Sequence, residues 1–398
     1  MNHDDTAMPP PREPLLTPAQ NEHARRVLLH IEAQIARAGG WLSFEQFMDH
    51  ALYAPGLGYY SAGAHKLGPG GDFTTAPEIS RLFGGCVARQ CAQVLGALGG
   101  GSVLEIGAGS GRLAVDVLRR LETLDRLPDH YSILEISADL RERQRLLLTA
   151  ELPHLLSRVR WLDAPPSHPF QGVIISNEVL DALPVVRFSW WPDRSEEWGV
   201  IVEGDTLSCS ARPSNAGLQS AVESLAVAAG GEWPHGYTSE ICMRMRTWSA
   251  EVTASLRAGA VLWFDYGLPR SQFYLAERNQ GTLLSYFRHG AIDDVLRHPG
   301  LQDITAWVDF TALAESGDAA GFEIAGFTNQ TYFLAGAGIE EERLLLTRLG
   351  LAPALLSGQA QRLMLPGEMG ERFKAMAWTR GLDAELIGFS IRDFLHTL

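Results

Sequence analysis

Cysteine is scarce in this 398-residue sequence. Four occur, Cys86, Cys91, Cys209 and Cys242, and none forms a Cys-x-x-Cys pair. A metal site or a redox motif of known spacing is therefore not expected; reduced, buried or lightly exposed thiols are. Basic charge is short as well, with 33 Lys and Arg against 47 Asp and Glu and a formal charge of −14. That balance offers no electrostatic footprint to a phosphate backbone, so no nucleic-acid partner is expected. No stretch approaches the ~20 consecutive apolar residues of a membrane helix. The first residues, with Asp4, Asp5 and Glu13 and no apolar run, are unlike a secretory signal, and they lack the Arg-rich amphipathic character of a transit peptide. The resulting expectation is a cytoplasmic protein without membrane contact.

What is present is an ordinary globular composition, 46% apolar and 20% charged. At roughly 150 residues per domain, the length suits two or three domains or one elaborated α/β domain. Pro9, Pro10, Pro11, Pro14 and Pro18 suggest an extended tail over 1–18. Val27, Leu28, Ile31 and Ile35 recur at helical spacing, and Ser43 with Gln46 resembles a capping box for a second helix. A helix from about Ser80 to Leu98 ends in Gly99-Gly100-Gly101. Apolar runs at Val103–Ile106, Tyr131–Glu135, Val159–Leu162 and Gly172–Ser176 then alternate with helical stretches, which predicts βαβ units and a parallel sheet. Trp198–Val202, a Glu203-Gly204-Asp205 turn and Leu207–Ser210 predict an antiparallel hairpin. A long helix over Ser239–Ala258 is expected before strands at Ala260–Asp265, Phe322–Phe327 and Arg372–Trp378. The fold class is thus α/β, a doubly wound, seven-stranded, mostly parallel sheet with an N-terminal helical segment and a hairpin insertion.

The most informative stretch is Glu105-Ile106-Gly107-Ala108-Gly109-Ser110-Gly111, between a strand and a helix. Glycines there allow a tight turn and close backbone approach of a ligand to a helix N-terminus. A dinucleotide fingerprint needs Gly-x-Gly-x-x-Gly, and Arg112 stands at its third glycine. Glu135 ends the next strand, where a carboxylate can accept from both ribose hydroxyls. Asp163 ends the third strand, where it could accept from an adenine amino group.

These features resemble the class I S-adenosylmethionine-dependent methyltransferases. Further motifs are similar to the MidA family: Gly71-Asp72-Phe73-Thr74-Thr75-Ala76-Pro77-Glu78, the Glu105–Gly111 loop, Asn177-Glu178-Val179-Leu180-Asp181-Ala182-Leu183-Pro184-Val185, and Phe264-Asp265-Tyr266-Gly267. The Tyr53–Tyr60 loop and Gly281–Tyr286 fit too. The family includes the mitochondrial complex I assembly-factor arginine methyltransferase, and the similarity runs from about Leu42 to the C-terminus. The resemblance implies S-adenosyl-L-methionine as cofactor, held by Thr75, Pro77, Glu78, Glu105, Gly107, Gly109, Gly111, Glu135, Asp163 and Asn177. It implies a segment over 19–98 that covers the cofactor, and a methyltransferase domain over 99–398 with an insertion at about 187–258. The implied acceptor is a protein arginine, with a respiratory complex I subunit as one candidate.

An arginine acceptor stays charged at neutral pH, with a pKa above ~12, and needs carboxylates to orient it beside a sulfonium. Glu178 and Asp181 follow the fourth strand at the carboxyl edge of the sheet and are the first catalytic candidates. As acids at a helix start they would serve capping alone. Asp265 and Tyr266 are the second candidates, or simple strand-end turn chemistry. His289 and Asp309 are expected in the same cleft by family resemblance. Trp190, Trp191 and Trp198 suit either a docking patch or core packing. Two other functions fit the same residues: an assembly chaperone that binds the cofactor without turnover, and a methyltransferase for a small molecule. Oligomeric state and degree of methylation leave no mark in the sequence.

Overall fold

The computed structural model describes residues 16–62, 75–231, 233–287, 290–292 and 294–398. The tail before Leu16, the Gly71–Thr74 part of the glycine-rich motif and His289 lie outside them. Seven strands build the central sheet: β1 (Ser102–Ile106), β2 (Tyr131–Leu134), β3 (Val159–Leu162), β4 (Phe170–Asn177), β5 (Leu256–Leu268), β6 (Glu323–Asn329) and β7 (Phe373–Arg380). Their order is 3-2-1-4-5-7-6, with β7 antiparallel between β5 and β6 and the pairs from β3 to β5 parallel. A short strand, Val308–Asp309, adds to the far end of β5. The inner strands read as near-continuous apolar runs because helices cover both faces. Val173, Ile175, Leu262 and Ala375 meet helix Arg81–Leu98, and Leu104, Ile174, Val261 and Trp263 meet the opposite layer.

Helix Pro18–Arg37 starts on a Thr17 cap, so Pro18 belongs to the helix. Its buried Val27, Ile31 and Ile35 pack beside helix Phe44–Tyr53, where the Gln46 amide donates to Ser43 Oγ at 3.2 Å.

The insertion is larger than a hairpin. Val186–Trp191, Arg194–Glu203, Thr206–Pro213, Tyr237–Ile241 and Leu42–Ser43 form a five-stranded antiparallel sheet. The hairpin lies as expected, Glu203 opposite Thr206. The long helix expected over Ser239–Ala258 does not form: Tyr237–Ile241 is a strand, and only Met245–Thr253 is helical. The polar side chains of that strand are buried against distant partners. Thr238 Oγ1 meets Ser189 Oγ at 2.7 Å, and Glu240 accepts from the Thr282 amide at 2.9 Å. Trp190 packs edge-on against Trp233, and Trp198 Nε1 donates to Ser189 Oγ at 2.7 Å. These tryptophans therefore serve packing within the insertion. A three-stranded sheet of Leu284–Phe287, Gly290–Ile292 and Asp303–Thr305 closes over the carboxyl edge of the main sheet. Among the described residues, no helix is long and apolar enough to cross a membrane.

Candidate active site

The glycine loop leaves β1 with Gly107, Gly109 and Gly111 all at positive φ, +65°, +53° and +85°. Gly107 is the tightest position, since a Cβ there would stand 2.8 Å from Val179 Cγ2. The loop borders a cavity of about 440 Å³ that Thr75, Pro77, Glu78, Glu105, Glu135 and Asn177 also line. Nine of the ten residues expected around the cofactor thus lie at this cavity or on its loop. Glu78 bonds the Ser110 hydroxyl and so ties the covering segment to the loop.

Glu135 is buried, with Oε1 accepting from the Ser137 amide at 2.9 Å and Oε2 from Gln144 Nε2 at 3.2 Å. Burial pushes its pKa up, against these two bonds. A carboxylate so oriented still has lone pairs free, and the donors of a ribose diol would stabilise its charged form. Glu105 lies at the cavity base and accepts from Tyr131 Oη at 2.6 Å. Burial, and after it the nearby Glu135, raise its pKa to about 7, with the Tyr131 bond opposing them. The cavity therefore fits an adenosyl group.

Asp163 departs from expectation. Its side chain is 79% exposed, ion-paired with the guanidinium of Arg141, and absent from the cavity wall. Ile136 stands there instead, 60% exposed yet lining the cavity, an apolar surface suited to a purine face. Arg112, at the position of the third dinucleotide glycine, turns to Glu151 at 3.4 Å.

A second cavity of about 440 Å³ adjoins the first and shares Tyr60 and Glu178 with it. Asp181, Tyr266 and Asp303 complete its acidic part. Glu178 has φ +53°, uncommon for a residue with a side chain and costing of order 1–3 kcal/mol. Its amide donates to the Phe264 carbonyl at 2.9 Å, and Asn177 Nδ2 donates to Oε1 at 3.1 Å. Burial, then the Asp181 charge, raise the Glu178 pKa to about 8. Asp181 is buried and raised to about 6, with the Tyr266 hydroxyl opposing the shift. Its Oδ1 has no hydrogen-bond partner. Among the described residues, neither Glu178 nor Asp181 forms an ion pair.

Asp265 does not reach either cavity wall. Fully buried, its Oδ2 accepts from the amides of Val179, Leu180 and Asp181 at 3.2, 2.9 and 3.3 Å, and Oδ1 from that of Tyr266 at 2.9 Å. It is the anchor of the loop that carries the catalytic candidates. Asp309 is likewise outside the cleft. It caps helix Phe310–Ala319 and pairs with Arg270 at 3.1 Å. The acid facing the cleft is Asp303, which accepts from Tyr60 Oη at 2.9 Å. Sequence reasoning missed it, because the bond that ties it to the Tyr53–Tyr60 loop is long-range.

A family model described as putative S-adenosyl-L-methionine-dependent methyltransferase matches residues 86–328. The chain belongs to this MidA-like family. It is a class I, S-adenosyl-L-methionine-dependent methyltransferase. Among the family's curated relatives, the protein arginine methyltransferase NDUFAF7, mitochondrial, of Bos taurus is 30% identical over 90% of this chain and 85% of its own length. The Homo sapiens counterpart is 28% identical over 90% and 84%. A solved superfamily structure from Burkholderia thailandensis, bound to S-adenosyl-homocysteine, is 39% identical. It covers 97% of this chain and all of its own, with a TM-score of 0.90.

Glu135→Ala is expected to weaken S-adenosylmethionine by about 1–3 kcal/mol, the cost of leaving polar groups without their acceptor. Calorimetry should show Kd rising roughly 5- to 150-fold. An unchanged Kd would leave Glu135 only the support of Ser137.

Proposed function

We propose that this methyltransferase transfers its methyl group to a protein arginine. The observation that carries the reading is the second cavity, with Asp181 Oδ1 buried and unpartnered beside Glu178 and without an ion pair to either. An orphaned carboxylate oxygen in a water-poor site costs free energy unless a cation arrives there. The name of the curated relatives points the same way.

Bound S-adenosylmethionine supplies a methyl group on a sulfonium. The chain's own part is to hold the acceptor nitrogen in line and to offset its charge. As the N–C bond forms and the S–C bond breaks, the Glu178 carboxylate takes the proton the nitrogen loses. Asp181 and Glu178 supply two carboxylates for the guanidinium fork. With the cavity empty, Glu178 holds a proton at pH 7, and an arriving cation favours its release. A protein acceptor, with a respiratory complex I subunit as one candidate, rests on the family resemblance; the cytoplasm is proposed from the sequence alone.

A strain lacking the protein supplies the test. Its lysate is incubated with the enzyme and methyl-labelled S-adenosylmethionine, and labelled proteins are hydrolysed for amino-acid analysis. Label recovered as methylarginine supports the reading. Label confined to small molecules, or none at all, overturns it in favour of a small-molecule enzyme or a cofactor-binding chaperone.

The pH profile is a second check. Protons compete with the guanidinium for both carboxylates, so kcat/KM should rise with pH as Asp181 ionises near 6 and Glu178 near 8. In Glu178→Gln, whatever activity remains should keep only the lower limb. A profile flat between these values would remove both groups from acceptor binding.

A further inference from the structure

The acceptor cavity carries opposite charges at its two ends. Asp181 and Asp303 are buried at one end with Glu178. Arg372, exposed, and Lys374, half-buried, line the same cavity nearer solvent, together with the exposed Glu371. Lys66 and Lys374 are the only lysines in the sequence, so an ammonium here is not part of a general basic surface. Among the described residues, neither Arg372 nor Lys374 forms an ion pair. Lys374 Nζ donates to the backbone carbonyl of Glu371, and burial lowers its pKa to about 8 while the Glu371 charge opposes that shift.

Lys374 sits at the start of β7, a sheet strand and not a loose loop, and Arg372 in the turn immediately before it. Lys374 is in register with Asp265, and Phe373 with Tyr266, whose ring it meets at 5.5 Å. The sheet register that holds Tyr266 therefore also places Lys374, with Arg372 one residue before the strand. A site with carboxylates deep inside and cations at its mouth suits a ligand of the reverse polarity, guanidinium first and anion behind.

We propose that the acceptor bears a carboxylate close to its target guanidinium, and that Arg372 and Lys374 bind it. This deepens the arginine reading and rests on it. The planar Arg372 fork matches a carboxylate, and Lys374 adds a point charge from a half-buried stem. The overall charge of −14 would repel an acidic partner at long range. At physiological salt, however, screening sets in beyond about 8 Å, so the local cation pair governs the contact. The carboxylate can belong to an Asp or Glu near the target arginine of a protein, or be the α-carboxylate of a free guanidino acid.

The full chain is assayed with labelled S-adenosylmethionine on peptides in which one Glu is walked around a single arginine, each beside its Gln counterpart. Free arginine and agmatine, which lacks the carboxylate, form the second arm. At the favoured position, Glu should raise kcat/KM over Gln by about tenfold, the size of one hydrogen bond to a charged group. The double variant Arg372→Gln, Lys374→Gln should bring that ratio near one, and Arg372→Lys with Lys374→Arg should preserve most of it. Calorimetry with S-adenosyl-homocysteine verifies that each variant is folded. If arginine exceeds agmatine by a similar factor and outperforms the peptides, the carboxylate is that of a small guanidino acid. Equal rates within every pair overturn the inference and leave the arginine reading standing. No transfer to any guanidinium in the panel overturns the arginine reading, and the inference with it.

Discussion

Glu178→Gln is expected to abolish most methyl transfer while leaving the affinity for S-adenosyl-homocysteine nearly intact. The amide keeps the shape of the side chain but loses the charge that, in the proposed arginine reading, holds a cation beside a sulfonium. It also turns one acceptor oxygen into a donor facing other donors. Loss of a charge-assisted pair in a buried cleft costs about 2–5 kcal/mol, or some 30- to several-thousand-fold in rate. The opposite outcome is equally readable. If Glu178 were only an acid at a turn, the substitution would change stability by ~0.3–1 kcal/mol and spare turnover. The backbone supplies a control, because Glu178 sits at φ +53°, where glycine is unstrained. Glu178→Gly should therefore lose transfer without losing stability. Thermal melts beside single-turnover rates separate the two roles.

The second large effect is expected at Asp265, which touches neither cavity. Its two oxygens collect four backbone amides, three from the loop that presents Glu178 and Asp181. Asp265→Ala would leave those donors buried without an acceptor, at ~1–3 kcal/mol for each one left unpaired. A destabilisation of about 3 kcal/mol or more is expected, with a collapse of kcat far beyond any change in cofactor Kd. Asp265→Asn should fare little better, since its NH₂ would face amide donors. Denaturant melts and rates in the same samples decide. A variant with wild-type stability and weak acceptor binding would return Asp265 to direct contact with the acceptor.

The legible parts of the sequence were those in which local pattern and tertiary role coincide. Val103–Ile106, Val173–Ile175 and Val261–Phe264 are buried on both faces, so their apolar runs announce central strands. The glycine loop is equally legible, because its positive φ angles depend on residue type and not on distant partners. Tyr237–Ile241 was not legible. Its Thr238 and Glu240 are held by Ser189 and Thr282, dozens of residues away in the chain. Asp163 shows the converse failure: the strand-end rule places its Cα, but its carboxylate points to solvent beside Arg141. Asp303 reaches the cleft only because its strand pairs with Leu284–Phe287 and faces Tyr60 across more than two hundred residues.

The position of β7 sets an order of events during synthesis. In the finished sheet, this last strand lies between β5 and β6, and β6 has no other partner there. The ribosome completes β5 at Leu268 and β7 only at Arg380, 112 residues later. At about 5–20 residues per second, this delay is roughly 6–22 s. Throughout it, one edge of β5 presents unpaired backbone groups on an apolar strand, a template for pairing with another chain. The nascent protein thus passes through an interval in which aggregation competes with folding. The interval ends only when β7 has emerged and inserted beside β5.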